Sequence, residues 1–132
     1  MTNLRSLNLR KNSLTSVPSE LGSLRSLGYL YLEDNSLTSV PVELGNLTNL
    51  TVLRLNHNSL RSIPAALGRL AKLIFLNLNH NSLTDIPAEL GNLVKLTTLN
   101  LSNNSLTSIP QEVCNLENTG TTIAKDAEVS CN

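Results

Sequence analysis

Aromatic residues are almost absent from this chain of 132 residues, which has two tyrosines, one phenylalanine and no tryptophan. The core of an ordinary globular protein gains much of its buried area from aromatic side chains. A chain with so few of them must build its core from aliphatic residues, and leucine dominates here. This composition favours a fold made of regular layers.

An excess of one charge and long apolar runs are also lacking. Ten basic and ten acidic side chains cancel, so the composition gives no basic excess for binding nucleic acid or an anionic membrane surface. No apolar run is long enough to span a bilayer, and residues 1–5 lack the apolar stretch of a secretory signal. We therefore expect a partner that is neither nucleic acid nor membrane.

A period of 23 residues runs through the sequence. All five prolines follow it, at Pro18, Pro41, Pro64, Pro87 and Pro110. Five asparagines keep the same spacing, each followed by Ser and Leu, at Asn12, Asn35, Asn58, Asn81 and Asn104. Such a period is the sequence signature of a solenoid. The sequence predicts five repeats of 23 residues in residues 1–116 and a divergent C-terminal cap in residues 117–132.

The third repeat shows what each unit is expected to form. Leu53 and Leu55 alternate with other residues, as on one face of a strand. Asn58 follows where the chain must turn, and its amide can bond backbone groups of its own and neighbouring coils. The asparagine column is therefore interpreted as a structural ladder. Pro64 suits the start of a short helix on the opposite side. Strands are expected near 6–10, 29–33, 52–56, 75–79 and 98–102.

The unit resembles the 23-residue class of leucine-rich repeats. The pattern Leu-x-x-Leu-x-Leu-x-x-Asn-x-Leu occurs in all five copies, and the Ile/Val-Pro-x-x-Leu half is similar to that of plant intracellular Ras-group-related repeat proteins. The resemblance covers roughly residues 4–116. It implies an α/β fold, a right-handed solenoid with a parallel sheet on its concave face and short helices or 3-10 turns on its convex face. It also implies a role in protein recognition.

The two ends of the array depart from the repeat. The first repeat begins almost at once, so Leu4, Leu7 and Leu9 are expected at an open strand edge, which predicts self-association as a homodimer. Cys114 and Cys131 are predicted to form a disulfide that stabilises the tail by roughly 3 kcal/mol. Two buried thiols are the alternative. A disulfide would favour an extracellular location, and free thiols a cytoplasmic one.

The residues between the strand leucines are expected to face outward on the concave side. All three aromatic residues of the chain lie at such positions. The candidate partner-binding residues are Tyr29, Tyr31, Glu33, Val52, Arg54, Asn56, Phe75 and Asn77. Exposed tyrosine and arginine at the centre of a surface are typical of interface hot spots. The alternative is that aromatic residues simply favour strands.

Catalytic and metal-binding patterns have little support in the sequence. His57 and His80 share one column, but the repeat supplies no third ligand, so neither a metal nor a cofactor is expected. No nucleophile elbow or phosphate-binding glycine loop occurs, so the chain is predicted not to be an enzyme. Binding of another protein through the concave face is the leading hypothesis. The alternatives are a self-associating structural protein and a carbohydrate- or ice-binding surface.

Overall fold

The computed structural model describes residues 3–132 and is a solenoid built on a parallel sheet of six strands. In chain order the strands are β1 (Ser6–Asn8), β2 (Tyr29–Tyr31), β3 (Val52–Arg54), β4 (Phe75–Asn77), β5 (Thr98–Asn100), β6 (Ser108–Ile109), β7 (Thr122–Ala124) and β8 (Ser130–Cys131). The large sheet has the order β1-β2-β3-β4-β5-β7, and β6 pairs with β8 separately. The predicted repeat solenoid with a parallel sheet is confirmed.

The register of the sheet places equivalent residues of successive repeats side by side. Leu30 lies opposite Leu53, and Leu53 lies opposite Leu76. The strands are shorter than the five residues predicted for each. Their hydrogen bonding nevertheless continues beyond the formal ends, since the Leu9 N–H donates to the Tyr31 carbonyl at 2.8 Å. The sheet is therefore a continuous ladder of short strands.

Short helical turns form the opposite side of the solenoid. The 3-10 turns are Ser19–Ser23, Val42–Asn46, Ala65–Arg69 and Ala88–Asn92, followed by helix α1 (Gln111–Cys114) and the 3-10 turn Asn115–Thr119. A proline precedes each of the first five elements and has an extended backbone, as at Pro64 with φ −73° and ψ 146°. The proline column thus starts the convex segment of every repeat, as predicted.

A glycine in each of the four 3-10 turns after a proline lets neighbouring repeats pack closely. A Cβ atom at Gly91 would lie 2.6 Å from the carbonyl oxygen of Glu112 in the next repeat. The same approach occurs at Gly45, where the distance to the Ala66 carbonyl oxygen would be 2.5 Å. Any side chain would push the two turns apart, so these glycines set the stacking distance on the convex side.

The asparagine column forms a hydrogen-bonded ladder between repeats. Nδ2 of Asn58 donates to the carbonyl of Leu55 in its own coil at 3.0 Å and to that of Leu32 in the preceding coil at 3.1 Å. Its Oδ1 accepts the Leu37 N–H at 3.0 Å. Asn35, Asn81 and Asn104 repeat this arrangement. One side chain therefore satisfies backbone groups of two coils.

The core between the sheet and the turns is aliphatic. Leucines of the three inner repeats, such as Leu53 and Leu55, are fully buried. Leu7 and Leu9 of the first repeat are only partly buried, because within the described residues no strand lies on the outer side of β1. Among residues 3–132, no helix has the length and apolarity that crossing a membrane requires.

The C-terminal tail covers the other end of the core. Strand β7 adds to the sheet beside β5, and Ile123 takes the place opposite Leu99. A disulfide joins Cys114 of helix α1 to Cys131 of β8, with the two Cα atoms 6.2 Å apart. The predicted bridge is thus present, and it ties the last residues of the tail to the fifth repeat.

Candidate functional site

The outward-facing side chains of the large sheet define three rows, which together we call the concave surface. The aromatic row is Ser6, Tyr29, Val52, Phe75 and Thr98; the middle row is Asn8, Tyr31, Arg54, Asn77 and Asn100; the third row is Arg10, Glu33, Asn56, Asn79 and Ser102. The strand register places the members of the first two rows opposite each other. All three aromatic residues of the chain lie on this surface.

The aromatic row contains a continuous apolar strip. Tyr29 pairs with Val52, and Val52 pairs with Phe75, so their side chains occupy adjacent strands. Equivalent positions on neighbouring strands are ~4.8 Å apart, close enough for direct contact. Tyr29 is 45% exposed, and Val52 and Phe75 are half-buried. The strip therefore presents apolar surface on a rigid sheet.

Arg54 is held at the centre of the concave surface by aromatic rings. The carbon of its guanidinium lies 5.1 Å from the centroid of the Tyr31 ring and 5.6 Å from that of Phe75. Both distances are within the range of cation–π attraction, which is worth ~0.5–1 kcal/mol at exposed sites. The side chain remains exposed. An arginine restrained in this way loses little conformational freedom when a partner binds.

Glu33 differs from its predicted exposure. It was expected to point to solvent with the rest of the third row, yet only 4% of its surface is exposed. The Arg10 Nε atom lies 3.9 Å from Glu33 Oε2, and the Arg54 Nη1 atom lies 3.8 Å from the same oxygen. The two long arginine side chains cover the carboxylate. Glu33 therefore positions Arg54 and presents little surface of its own.

The third row carries hydrogen-bonding capacity that the fold leaves unused. In the part of the chain that the structure describes, Glu33 Oε1, Asn56 Oδ1 and Asn79 Oδ1 are buried without a hydrogen-bond donor. Buried acceptors without partners are uncommon in proteins. Asn77 in the middle row is different, because its Oδ1 accepts the Asn79 N–H at 3.1 Å. The acceptors of the third row lie along one side of Tyr29, Tyr31, Val52, Arg54 and Phe75, which together we call the aromatic cluster.

The two histidines stack at the end of their strands. The rings of His57 and His80 have centroids 4.2 Å apart and planes 11° apart. The nitrogen lone pairs of two stacked rings lie in two separate, nearly parallel planes, so they do not converge on one ion. Within residues 3–132, no group of three or more His, Cys, Asp or Glu side chains is placed to hold a metal ion.

Comparisons with known proteins identify the repeat family of this chain. A family model described as leucine-rich repeat matches residues 29–83 and 48–106, and one described as two copies of leucine-rich repeats matches residues 2–42. A solved leucine-rich-repeat protein of Leptospira interrogans is similar at a TM-score of 0.60 and 29% identity, over 97% of this chain. The chain spans 44% of that protein's length. No curated protein matches the sequence.

Proposed function

The chain belongs to the leucine-rich-repeat family, and we propose that it binds another protein through its concave surface. Domains of this family generally mediate protein–protein interactions and are typically not enzymes. Because a fold alone does not define a partner, the proposal depends on the chemistry of this surface. It names Tyr29, Tyr31, Val52, Arg54 and Phe75 as the centre of the interface.

The observation that supports this site is the position of the aromatic residues. A chain of 132 residues has three of them, and all three lie on the outward face of two of its strands. Two of them, Tyr31 and Phe75, have their rings beside the guanidinium of Arg54. The buried core contains none of them and is built mainly from leucine, with some valine and isoleucine. Tyrosine and arginine are enriched among the residues that dominate binding energy in protein interfaces.

The other candidate binding residues have secondary roles in the proposed interface. Asn56 and Asn77 flank the aromatic cluster and can bond to a partner's backbone at its polar rim. Glu33 acts through Arg54, whose guanidinium it attracts. The Pro-x-x-Leu halves of the repeats support a relation to plant intracellular Ras-group-related proteins, which we retain as a proposal.

The site is tested by capturing binding proteins from an extract of the source organism. The wild-type protein is compared with Tyr31→Ala and Phe75→Ala, and bound proteins are identified by mass spectrometry. We expect at least one protein to bind the wild type and to be lost with both variants. Val42→Ala is the matched control, because Val42 is an exposed apolar residue on the convex side at 58% exposure. Equal capture by all four proteins would contradict the proposed site.

A further inference from the structure

A depression lies beside the aromatic row, at the edge where the strands begin. Gly28 is one of the residues that line it, and the residues at the same place in the next repeats are Thr51, Ile74 and Thr97. Because Gly28 alone in this column lacks a side chain, the surface dips between its neighbours. The resulting pocket has a volume of about 450 Å³, within the usual range for small ligands. Tyr29 forms one wall and also belongs to the aromatic row.

The pocket is lined by cations and by no acidic residue. Arg5 and Lys72 contribute to its walls, together with Asn49 and Thr51. The Lys72 Nζ atom donates to Asn49 Oδ1 at 2.8 Å. Asn49 Nδ2 in turn donates to the carbonyl of Arg25 at 2.8 Å. The ammonium group is thus held at the pocket wall by a neutral side chain that is itself fixed.

Among the residues that the structure describes, no carboxylate forms an ion pair with these two cations. The ion pairs found within residues 3–132 are those of Glu33 with Arg10 and Arg54, on a different part of the sheet. The segments that lead into the strands, residues 24–28, 47–51, 70–74 and 93–97, contain no acidic residue, and all but residues 47–51 contain a basic one. Most glutamates are instead on the convex turns, at Glu20, Glu43, Glu89 and Glu112. The edge at the strand starts is therefore positive although the whole chain is neutral.

We propose that this pocket, the Gly28 pocket, binds a carboxylate side chain of the protein partner. The inference rests on the proposed function, since it names the chemistry of one partner residue at the same surface. Arg5 and Lys72 supply charge-assisted hydrogen bonds to the carboxylate. An apolar residue next to it in the partner packs on Tyr29 and Val52. The recognised element is thus an acidic residue adjoining an apolar one.

Two capped dipeptides test the pocket without the natural partner. N-acetyl-Leu-Glu-amide and its neutral counterpart N-acetyl-Leu-Gln-amide are titrated into the isotopically labelled protein, and amide shifts are followed by NMR. We expect saturable shifts at Gly28, Tyr29 and Thr51 with the acidic peptide. Affinity for the neutral peptide should be about fivefold lower, the ratio expected for ~1 kcal/mol from partly exposed charges.

The variant Gly28→Thr tests the proposal most directly, because the added side chain fills the pocket. A Cβ atom at this position would be 3.6 Å from the Arg5 carbonyl oxygen and 3.9 Å from that of Asn49, both ordinary van der Waals distances. The next repeat has threonine at this place, so the fold should accept the change. We expect binding of the acidic peptide to fall by about tenfold or more. Lys95→Gln, on the same edge but outside the pocket lining, should bind as the wild type does.

Absence of saturable shifts would overturn the proposal, as would equal affinity for the two peptides or unchanged binding by Gly28→Thr. These outcomes are separable from a failure of the proposed function. If the captured partner is lost with Phe75→Ala but retained by Gly28→Thr, the concave site stands and the pocket does not. If the acidic peptide binds as described while Phe75→Ala retains every partner, the pocket stands and the aromatic site fails.

Discussion

At the residue scale, the backbone conformation explains which residue types occur just before the ladder asparagines. The residue before each ladder asparagine has a positive φ, with values of 58° at Lys11, 59° at Asp34, 56° at His57, 56° at His80 and 57° at Asn103. Asn, Asp and His are enriched in this left-handed region among residues other than glycine. The two histidines therefore share a column because the turn favours their type, and their stacking follows from the spacing of the repeats.

Lys11→Gly tests this backbone requirement. A left-handed backbone costs ~1–2 kcal/mol for a residue with a Cβ, and the greater unfolded-state freedom of glycine offsets ~0.5–1 kcal/mol of that. We expect the free energy of unfolding to rise by up to ~1.5 kcal/mol, measured by chemical denaturation. Lys95→Gly, where φ is not positive, should lower it instead. Destabilisation by both variants would show that the turn imposes no such cost.

At the scale of elements, the convex turns fix the distance between repeats. A Cβ at Gly91 would lie 2.9 Å from both the carbonyl carbon and the Cβ of Glu112, which are not free to move. We expect Gly91→Ala to lower the free energy of unfolding by ~1–3 kcal/mol, as overpacking typically does. Ala88→Ser, at an exposed position of the same turn, should change it by less than ~0.5 kcal/mol. Equal effects of the two variants, measured by chemical denaturation, would contradict the account.

The cap is the second element that stabilises the array. We propose that the repeats extend to residue 116 and that residues 117–132 form the cap. In it Thr121 is buried and its hydroxyl donates to the Leu96 carbonyl at 2.6 Å. Gly120, with φ 102°, ends the preceding turn in a conformation that other residues rarely adopt. The tail thus uses its own contacts to replace those that a sixth repeat would make.

Loss of the disulfide should weaken this cap. Cross-linking residues seventeen positions apart stabilises a fold by roughly 3 kcal/mol. We expect Cys131→Ser to lower the free energy of unfolding by about that amount, and reduction of the wild type to have a similar effect. Urea denaturation with and without reductant measures both. If the reduced wild type is as stable as the oxidised protein, the bridge is dispensable for the fold.

For the whole molecule, the sequence was sufficient to predict the architecture. The same sequence pattern recurs in every repeat. The leucine column identifies the strands, the asparagine column identifies the hydrogen-bonded ladder, and the proline column identifies the start of each convex turn. The alternation of leucine with other residues around Leu53 also predicted that the aromatic residues lie on the outward face of the sheet. It could not predict the burial of Glu33, which depends on how arginines of the two neighbouring repeats lie across it. The Gly28 pocket also depends on side chains from three repeats.

Self-association of the chain stays a prediction. Leu4, Leu7 and Leu9 pack only partly against the core, and strand β1 has one neighbouring strand within the described residues. Unpaired strand edges pair readily with other chains. We expect sedimentation velocity to show dimers that increase with protein concentration. A single monomeric species across the concentration range would contradict this prediction.

We expect the aromatic cluster to contribute to partner binding and the leucines to the stability of the fold. Unfolding free energy and affinity for the captured partner are measured together on Phe75→Ala and Leu53→Ala. Phe75 is half-buried and contacts Arg54, so its loss should cost about 1 kcal/mol of stability, while binding weakens by ~2 kcal/mol or more. Leu53 is fully buried, so Leu53→Ala should lose ~2–5 kcal/mol of stability. Equal destabilisation by the two variants, or normal binding by a stable Phe75→Ala, would contradict the account.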